Sequence, residues 1–387
     1  MKRHQPQRKS TPVRGAAGVA AEPLVRVRHK KHRKIPRAAF VSLGVVVAVV
    51  VGVCAAAAAW IGSLNASMGF DNPVEKEKLI SRLAPASTGV AEGESNAFYL
   101  LILGSDARGD EVSRSDVNML VRVDPSAAQV TLVSVPRDTM ISIEGQGTQK
   151  INAAYAFGGP AGAVDAISTF AGVPISHYAE IHFEELERLI DLLDGIWVDV
   201  PEEFTSDSGI SFSKGHQRMS GEQALAFARE RHHVSGDDFG RAQAQRIIVQ
   251  AVIDRVLSAS PLDMAGYIGE IANCLTTDLS VQDAIDLAQQ FREVGAPTMY
   301  STICPSYSRE VEGVSYVCPM FDEWRTLMQR VDAGLDPSDE AVTVPEAQQN
   351  NPELGAASNS PAPRDYEAYA SAAGLTTDDV ASKEDEQ

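Results

Sequence analysis

The stretch Ala97-Phe98-Tyr99-Leu100-Leu101-Ile102-Leu103, followed at once by Gly104-Ser105-Asp106-Ala107-Arg108, decides the fold. An unbroken apolar run of this length reads as a strand buried on both faces, as found inside sheets covered by helices. The polar turn leaves that strand at its carboxyl end, where ligands of open α/β sheets collect. Working outward, Val117–Val123 and Val130–Val135 read as two more strands, separated by the turn Asp124-Pro125-Ser126. Gly158-Gly159-Pro160 opens a helix running to about Phe170, with proline in its first turn. A strand near Tyr178–Ile181, a helix over Phe183–Leu193 and a short strand over Ile196–Val200 follow. Ser220 is the expected N-cap of a helix over Glu222–Ala228. Ile247, Ile248, Ala251, Val252, Arg255 and Val256 recur at helical spacing, which predicts a longer helix over about Arg241–Leu257. A helix over about Val281–Arg292 and a strand over about Thr298–Ile303 finish the body. Strands alternating with helices define a layered α/β domain.

Charge is distributed unevenly along the 387 residues, whose formal sum is −18. Residues 1–37 carry twelve Lys or Arg against Glu22 alone, so the remainder is strongly acidic. Such a body repels nucleic acid, and no nucleic-acid partner is expected. The basic head has a different reading, because residues 38–62 carry no charge: AAFVSLGVVVAVVVGVCAAAAAWIG. A bilayer core of roughly 30 Å needs about 20 apolar helical residues, so this run is long enough to span it. Basic residues on its amino side place that flank in the cytoplasm, and Trp60 suits the far interface. The expected topology is a single-pass signal-anchor in the cell membrane, with everything after about residue 63 outside. A cleaved signal peptide is the competing reading, since Ala55–Ala59 offers small residues for a peptidase. Against it, the head is long for the charged region of a leader.

The expected organisation is therefore a cytoplasmic head (1–37), a membrane anchor (38–62), a stalk with a short helical piece (63–95), an outer domain (96–335) and a tail (336–387). The tail holds twelve acids against Arg364 and Lys383, is rich in Ala, Ser, Asn and Pro, and reads as disordered. Outside the cell disulfides persist. Cys304 and Cys318 each precede a proline around a short polar loop and are the pair expected to bridge, leaving Cys274 free.

Between Ser81 and Leu335 the only lysines are Lys150 and Lys214, while arginines gather beside loops: Arg108 and Arg114, Arg137, then Arg229, Arg231, Arg241 and Arg246. Guanidinium forks bind phosphate oxygens bidentately, which points to one polyanionic ligand. The competing reading pairs each arginine with one of the many surface carboxylates. Arg241 and Gln245 are four apart and share a helix face, and the start of that helix offers free N–H groups to an anion.

Six pieces in order carry a family resemblance: Gly104-Ser105-Asp106; Arg114-Ser115-Asp116; Val135-Pro136-Arg137-Asp138-Thr139; Lys150-Ile151-Asn152-Ala153-Ala154-Tyr155; Ser220-Gly221-Glu222-Gln223-Ala224-Leu225-Ala226 leading to Arg229-Glu230-Arg231; and Asp238-Phe239-Gly240-Arg241 with Gln245-Arg246. Over about residues 95–260 the chain resembles the LytR-CpsA-Psr family of cell-wall glycopolymer ligases. The resemblance implies a three-layer α/β/α sandwich with a central mixed sheet, outside the cell on an N-terminal membrane helix. It also implies Mg²⁺-dependent transfer of a sugar-phosphate from a polyprenyl-pyrophosphate-linked glycan to a hydroxyl of peptidoglycan, releasing polyprenyl phosphate. Some relatives place glycans on proteins instead. By the same resemblance Asp106 and Asp116 are the metal-side carboxylates and, with Arg137, the catalytic group. Arg114, Arg229, Arg231, Arg241, Lys150 and Gln245 are the substrate-binding group. Two aspartates suffice for Mg²⁺, which also takes phosphate oxygens and water; either could accept the acceptor's proton.

The chain departs from the family where many relatives carry Arg and it has Ala244, and again at Met140 and Ile141. Those departures bear on substrate choice. His232 and His233 are expected in a solvated loop. The apolar stripes of the Gly159–Phe170 and Arg241–Leu257 helices are read as ordinary core, with a lipid slot as the other possibility. Hydrolysis by a pyrophosphatase and non-catalytic binding of a lipid carrier remain as alternative activities.

Overall fold

The computed structural model describes residues 70, 72–85, 96–105 and 114–381. The basic head, the apolar run 38–62, Asp106 and Arg108 lie outside the described residues. Among the described residues, no helix is long and apolar enough to cross a membrane.

In chain order the elements are α1 (Pro73–Ile80), β1 (Phe98–Ser105), β2 (Ser115–Asp124), β3 (Gln129–Ser134), β4 (Met140–Ile143), β5 (Gly147–Lys150), α2 (Ala153–Ala171), β6 (His177–His182), α3 (Phe183–Leu192) and β7 (Ile196–Val200). Then come β8 (Phe204–Thr205), β9 (Ser211–Phe212), β10 (Gly215–Met219), α4 (Gly221–Arg229), α5 (Asp238–Leu257), α6 (Pro261–Ala272), β11 (Thr276–Thr277), α7 (Val281–Val294), β12 (Thr298–Ile303), β13 (Ser306–Val311), β14 (Val314–Pro319) and α8 (Phe321–Asp332).

Six strands form the central sheet in the order β11-β6-β1-β2-β3-β12. β1 runs parallel to β6 and β3 parallel to β12, whereas β2 is antiparallel to both β1 and β3. The sheet is therefore mixed, and the carboxyl ends of β1, β3, β6 and β12 share one edge with the start of β2.

Period-two geometry divides the apolar run of β1 between two cores. Tyr99, Leu101 and Leu103 join Ala163, Ile167 and Phe170 of α2 and Trp324 and Met328 of α8. Phe98, Leu100 and Ile102 face the other way, onto the cluster that includes Val249 and Ile253 of α5 and Phe291 of α7. Helices on both faces of the sheet make the α/β/α sandwich. The apolar stripes of α2 and α5 are spent largely on these cores and on the cluster where Ile248 and Ala251 meet α3, α4 and β7.

Ser220 caps α4 with a reciprocal bond to Gln223, as the sequence suggests. Two helix boundaries differ from expectation. α2 starts at Ala153 and is broken at Gly159 (φ 63°, ψ −158°), so the piece expected from its Gly-Pro signal is its second half. α5 starts three residues early, with Asp238 in its first turn.

The short helical piece expected in the stalk is α1, which buries Leu79 completely in the core beside α2, while Ala84 donates to the Ile175 carbonyl at 2.8 Å. Two expectations are corrected.

The acidic tail is not disordered over its described part. Residues 336–381 form a strap that buries Leu354, Ala357, Ala362 and Tyr366 in the α2–α8 core. Gly355 and Ala357 donate to the carbonyls of Ala171 and Phe170, Ser142 donates to Asn359, and Ser308 donates to Leu375. Tyr366 stacks on Tyr307 with centroids 6.2 Å apart.

Cys304 and Cys318 are buried free thiols rather than a bridge, as is Cys274. Hairpin register gives the reason: Cys318 stands opposite Tyr307, three residues along from Cys304. Burial pushes the Cys304 thiol up to about 12 and the Cys318 thiol upward as well.

Candidate active site

The shared strand edge collects short polar segments from four places. Ser105 ends β1, Asp116 starts β2, Arg137 and Asp138 follow β3, and His182 ends β6. Between them and the first turns of α5 lies a narrow cleft. Asp116, Asn118, Arg137, Asp138, Asp238, Arg241 and Gln245 supply most of its polar lining.

Arg137 is the hub. Its Nη1 donates to Asp116 Oδ1 at 2.5 Å, and its Nη2 lies 3.8 Å from Asp238 Oδ2. Burial by itself would lower its pKa, but the hydrogen bond to Asp116 and the charges of Asp238, Asp116 and Asp138 hold it above the ordinary arginine value. Arg241 Nη2 lies 2.9 Å from Asp238 Oδ1, and Arg231 Nη1 lies 4.0 Å from the same oxygen. Arg241 is lowered, first by burial and further by the like charges of Arg137 and Arg231, against the pull of Asp238 and Asp116. Three guanidiniums thus converge on one carboxylate. Asp238 belongs to the Asp238-Phe239-Gly240-Arg241 motif, and its place in the first turn of α5 is the sequence signal for its role at the site.

The other residues expected at the site are placed as follows around this group. Arg229 ends α4 with its guanidinium 5.2 Å from the Phe183 ring centroid and lines a neighbouring hollow with Ser206, Asp207 and Glu222. Arg114 stands exposed just before β2. Lys150 ends β5 and pairs with Asp138 at 3.0 Å, which places it behind the cleft lining. Gln245 is buried, and its Nε2 donates to the Ala228 carbonyl at 3.3 Å, tying α5 to the end of α4. Asp106 follows β1 directly and lies outside the described residues.

The loop bearing Arg229 and Arg231 is fixed by the residue between them. Glu230 is buried and accepts backbone N–H bonds from Asp207, Arg231, His232 and His233 at 2.7 to 3.1 Å. Burial would raise its carboxyl, but these donors hold it below the ordinary glutamate range. His232 and His233 are exposed, as expected for a solvated loop. Asp207, Glu230 and His233 bring ligand atoms within 4.8 Å of one another. The Glu230 oxygens are already engaged by N–H donors, so this group is a loop clamp.

A further polar pair stands at the same strand edge. Ser105 Oγ lies 2.8 Å from His182 Nδ1 across the paired ends of β1 and β6. Only strand pairing could reveal it, because the two residues are 77 apart in sequence.

The family model of the LytR_cpsA_psr family matches residues 65–330. The chain belongs to this family. It is 36% identical over 210 residues to a polyisoprenyl-teichoic acid–peptidoglycan teichoic acid transferase TagU of Bacillus cereus, an overlap of 54% of this chain and 69% of the relative. It is also 36% identical over 200 residues to a TagU of Enterococcus faecalis, covering 50% of this chain and 66% of that protein. Among solved structures, TagV of Bacillus subtilis superposes with a TM-score of 0.51 at 30% identity, over 58% of this chain and 91% of that one. TagT bound to LIIa-WTA superposes with a TM-score of 0.50 at 26% identity, over 70% and 94%. The LytR_cpsA_psr match takes in the whole cleft and stops within α8, so the acidic strap falls outside it.

Proposed function

We propose that this protein transfers a glycopolymer, as sugar-phosphate, from a polyprenyl-pyrophosphate carrier to a hydroxyl of peptidoglycan. The convergence of Arg137, Arg231 and Arg241 on a single carboxylate at the strand edge carries this reading. Asp238 occupies the place an anion would take, and a pyrophosphate brings more oxygens to the same three forks.

Phosphoryl transfer needs positioning and charge neutralisation more than covalent work by the protein. The acceptor oxygen attacks the phosphorus next to the sugar. The new P–O bond forms as the bond to the bridging oxygen breaks, and polyprenyl phosphate departs with that oxygen. The acceptor's proton passes to Asp106 or Asp116. Arg137, held from one side by Asp116, keeps a fork aimed at the charge that grows on the phosphoryl oxygens.

Asp116 belongs to no cluster of three carboxylate, imidazole or thiolate ligands among the described residues. Among the described residues, no all-protein cage is built around it. A cation that keeps its waters and uses substrate phosphate oxygens fits this donor set, and Mg²⁺ is such a cation. When bound, it would neutralise pyrophosphate charge, with Asp116 and Asp106 as its carboxylate ligands.

The catalytic domain works outside the cell, on a single-pass anchor formed by residues 38–62, with the head in the cytoplasm. There it meets both the lipid carrier and the wall.

The test uses full-length protein in detergent with Mg²⁺, a short-chain polyprenyl-pyrophosphate glycan and peptidoglycan fragments. A phosphodiester-linked glycan on the fragments is the expected product. Free phosphate without linkage would replace this reading with a pyrophosphatase, and binding without turnover would replace it with a carrier-binding module.

A further inference from the structure

Asn118 is a buried polar residue that directly precedes the apolar run of β2. Met119, Leu120 and Val121 follow it, all fully or nearly buried, and Asn118 itself is 4% exposed. On a strand covered by helices from both sides an apolar residue is the ordinary occupant of such a position. Its backbone is in place: the carbonyl accepts from Val135 N–H at 2.9 Å, and the residue pairs with Leu103 of β1. Its side-chain oxygen is occupied too, because Ser115 Oγ donates to Oδ1 at 2.5 Å, and Ser115 is 1% exposed. The amide nitrogen differs. Nδ2 is buried and finds no acceptor among the described residues. A buried donor without a partner is destabilising, and natural folds keep very few of them.

Position supplies a reason. Asn118 lines the cleft together with Asp116, Arg137, Arg241 and Gln245. The β1–β2 register shifts where Ser105 pairs with Ser115 and Gly104 with Val117, and with Asp116 in that bulge both Asp116 and Asn118 line the cleft. Ser115 fixes the oxygen end of the amide, which leaves the nitrogen end to meet whatever the arginines hold. We infer that Asn118 is a further substrate-binding residue, whose Nδ2–H donates to an oxygen of the pyrophosphate gripped by Arg137 and Arg241. The inference rests on the function proposed above. It also explains a buried polar residue whose presence the fold itself does not require, since sites that break a local packing rule are commonly functional.

Calorimetric titration of the full-length protein in detergent, with Mg²⁺ and a short-chain polyprenyl-pyrophosphate sugar, tests this. Asn118→Asp has nearly the same volume but presents an acceptor where the amide donates. It should bind about 10- to 100-fold more weakly, the range for losing one hydrogen bond to a charged group. The paired variant Ser115→Ala/Asn118→Leu removes both partners of the buried hydrogen bond and the lone donor with them. It should melt at or above the wild-type temperature while losing affinity to a similar extent, a combination that a purely structural asparagine would not give. Wild-type affinity in either folded variant overturns the assignment, and Asn118→Asp keeps the test decisive should the paired variant fail to fold. Failure of the unaltered protein to bind the lipid pyrophosphate would overturn the underlying function, and this inference with it.

Discussion

The strand-edge cleft and the C-terminal strap are both rich in charge, and they use it in opposite ways. In the cleft the charges are half-buried and turned toward one another: Arg137, Arg231 and Arg241 meet Asp116 and Asp238 within 2.5 to 4.0 Å. In the strap the acids Asp339, Glu340, Glu353, Asp365 and Glu367 stay exposed, while Leu354, Ala357, Ala362 and Tyr366 are buried. Desolvated, mutually facing charges add little net stability, because desolvation offsets most of their attraction. Small apolar contacts and backbone hydrogen bonds, by contrast, hold a segment down. The cleft is thus expected to govern rate and the strap to govern stability.

Cutting the chain after Leu335 should test the second half of that statement most strongly. It would uncover the surface around Trp324 and Tyr307 and remove the burial of Leu354 and Tyr366. Each large side chain contributes about 1.5–3 kcal/mol, so a drop on the order of 4 kcal/mol is expected in denaturant unfolding. A truncated protein as stable as the full chain would show that the strap merely rests on the domain.

Arg137→Ala probes the cleft from the other side. It should slow glycan transfer roughly 10²- to 10³-fold, or about 2–4 kcal/mol of transition-state stabilisation, with the melting temperature little changed. Transfer at the normal rate would reduce the cleft to a set of surface ion pairs.

Arg229→Ala sharpens the boundary between the cleft and its surroundings. Its guanidinium lies over Phe183 and lines a separate hollow. A loss in transfer smaller than that of Arg137→Ala is expected, because this guanidinium lies over the Phe183 ring while that of Arg137 is held by Asp116. Equal losses in the two variants would place Arg229 inside the pyrophosphate site.

The smallest effect concerns pH. The Glu230 carboxyl is held below its ordinary range by backbone donors. A depressed carboxyl contributes stability that is fully present above the unfolded value of about 4.3. That contribution fades as pH falls through the folded value. Unfolding midpoints of the wild type and Glu230→Gln should therefore differ at pH 7 and converge in acid. A gap that is constant with pH would mean the carboxylate charge is immaterial to the loop.

Much of the layered fold was legible from residue order. The run of β1 announces itself because a strand covered on both faces is apolar throughout, and Ser220 announces α4 because its side chain accepts from the helix's own N–H groups. The order of the six motifs, five of them bearing arginine or aspartate, likewise points to the family from the residues alone. What sequence could not supply depends on which segments meet. Asp238 gathers three guanidiniums only because α5 begins beside the carboxyl end of β3, and Ser105 meets His182 only because β1 pairs with β6. The course of the loop from Arg229 to Arg231 turns on Glu230, whose bonds are nearly all to backbone donors that carry no residue signature. The strap is the plainest case. Its composition has the charge and low hydrophobicity of a disordered tail, because the apolar surface that orders it belongs to α2, α8 and the β13–β14 hairpin. Local composition records what a segment can bury by itself, and only the tertiary structure decides what the rest of the chain offers it.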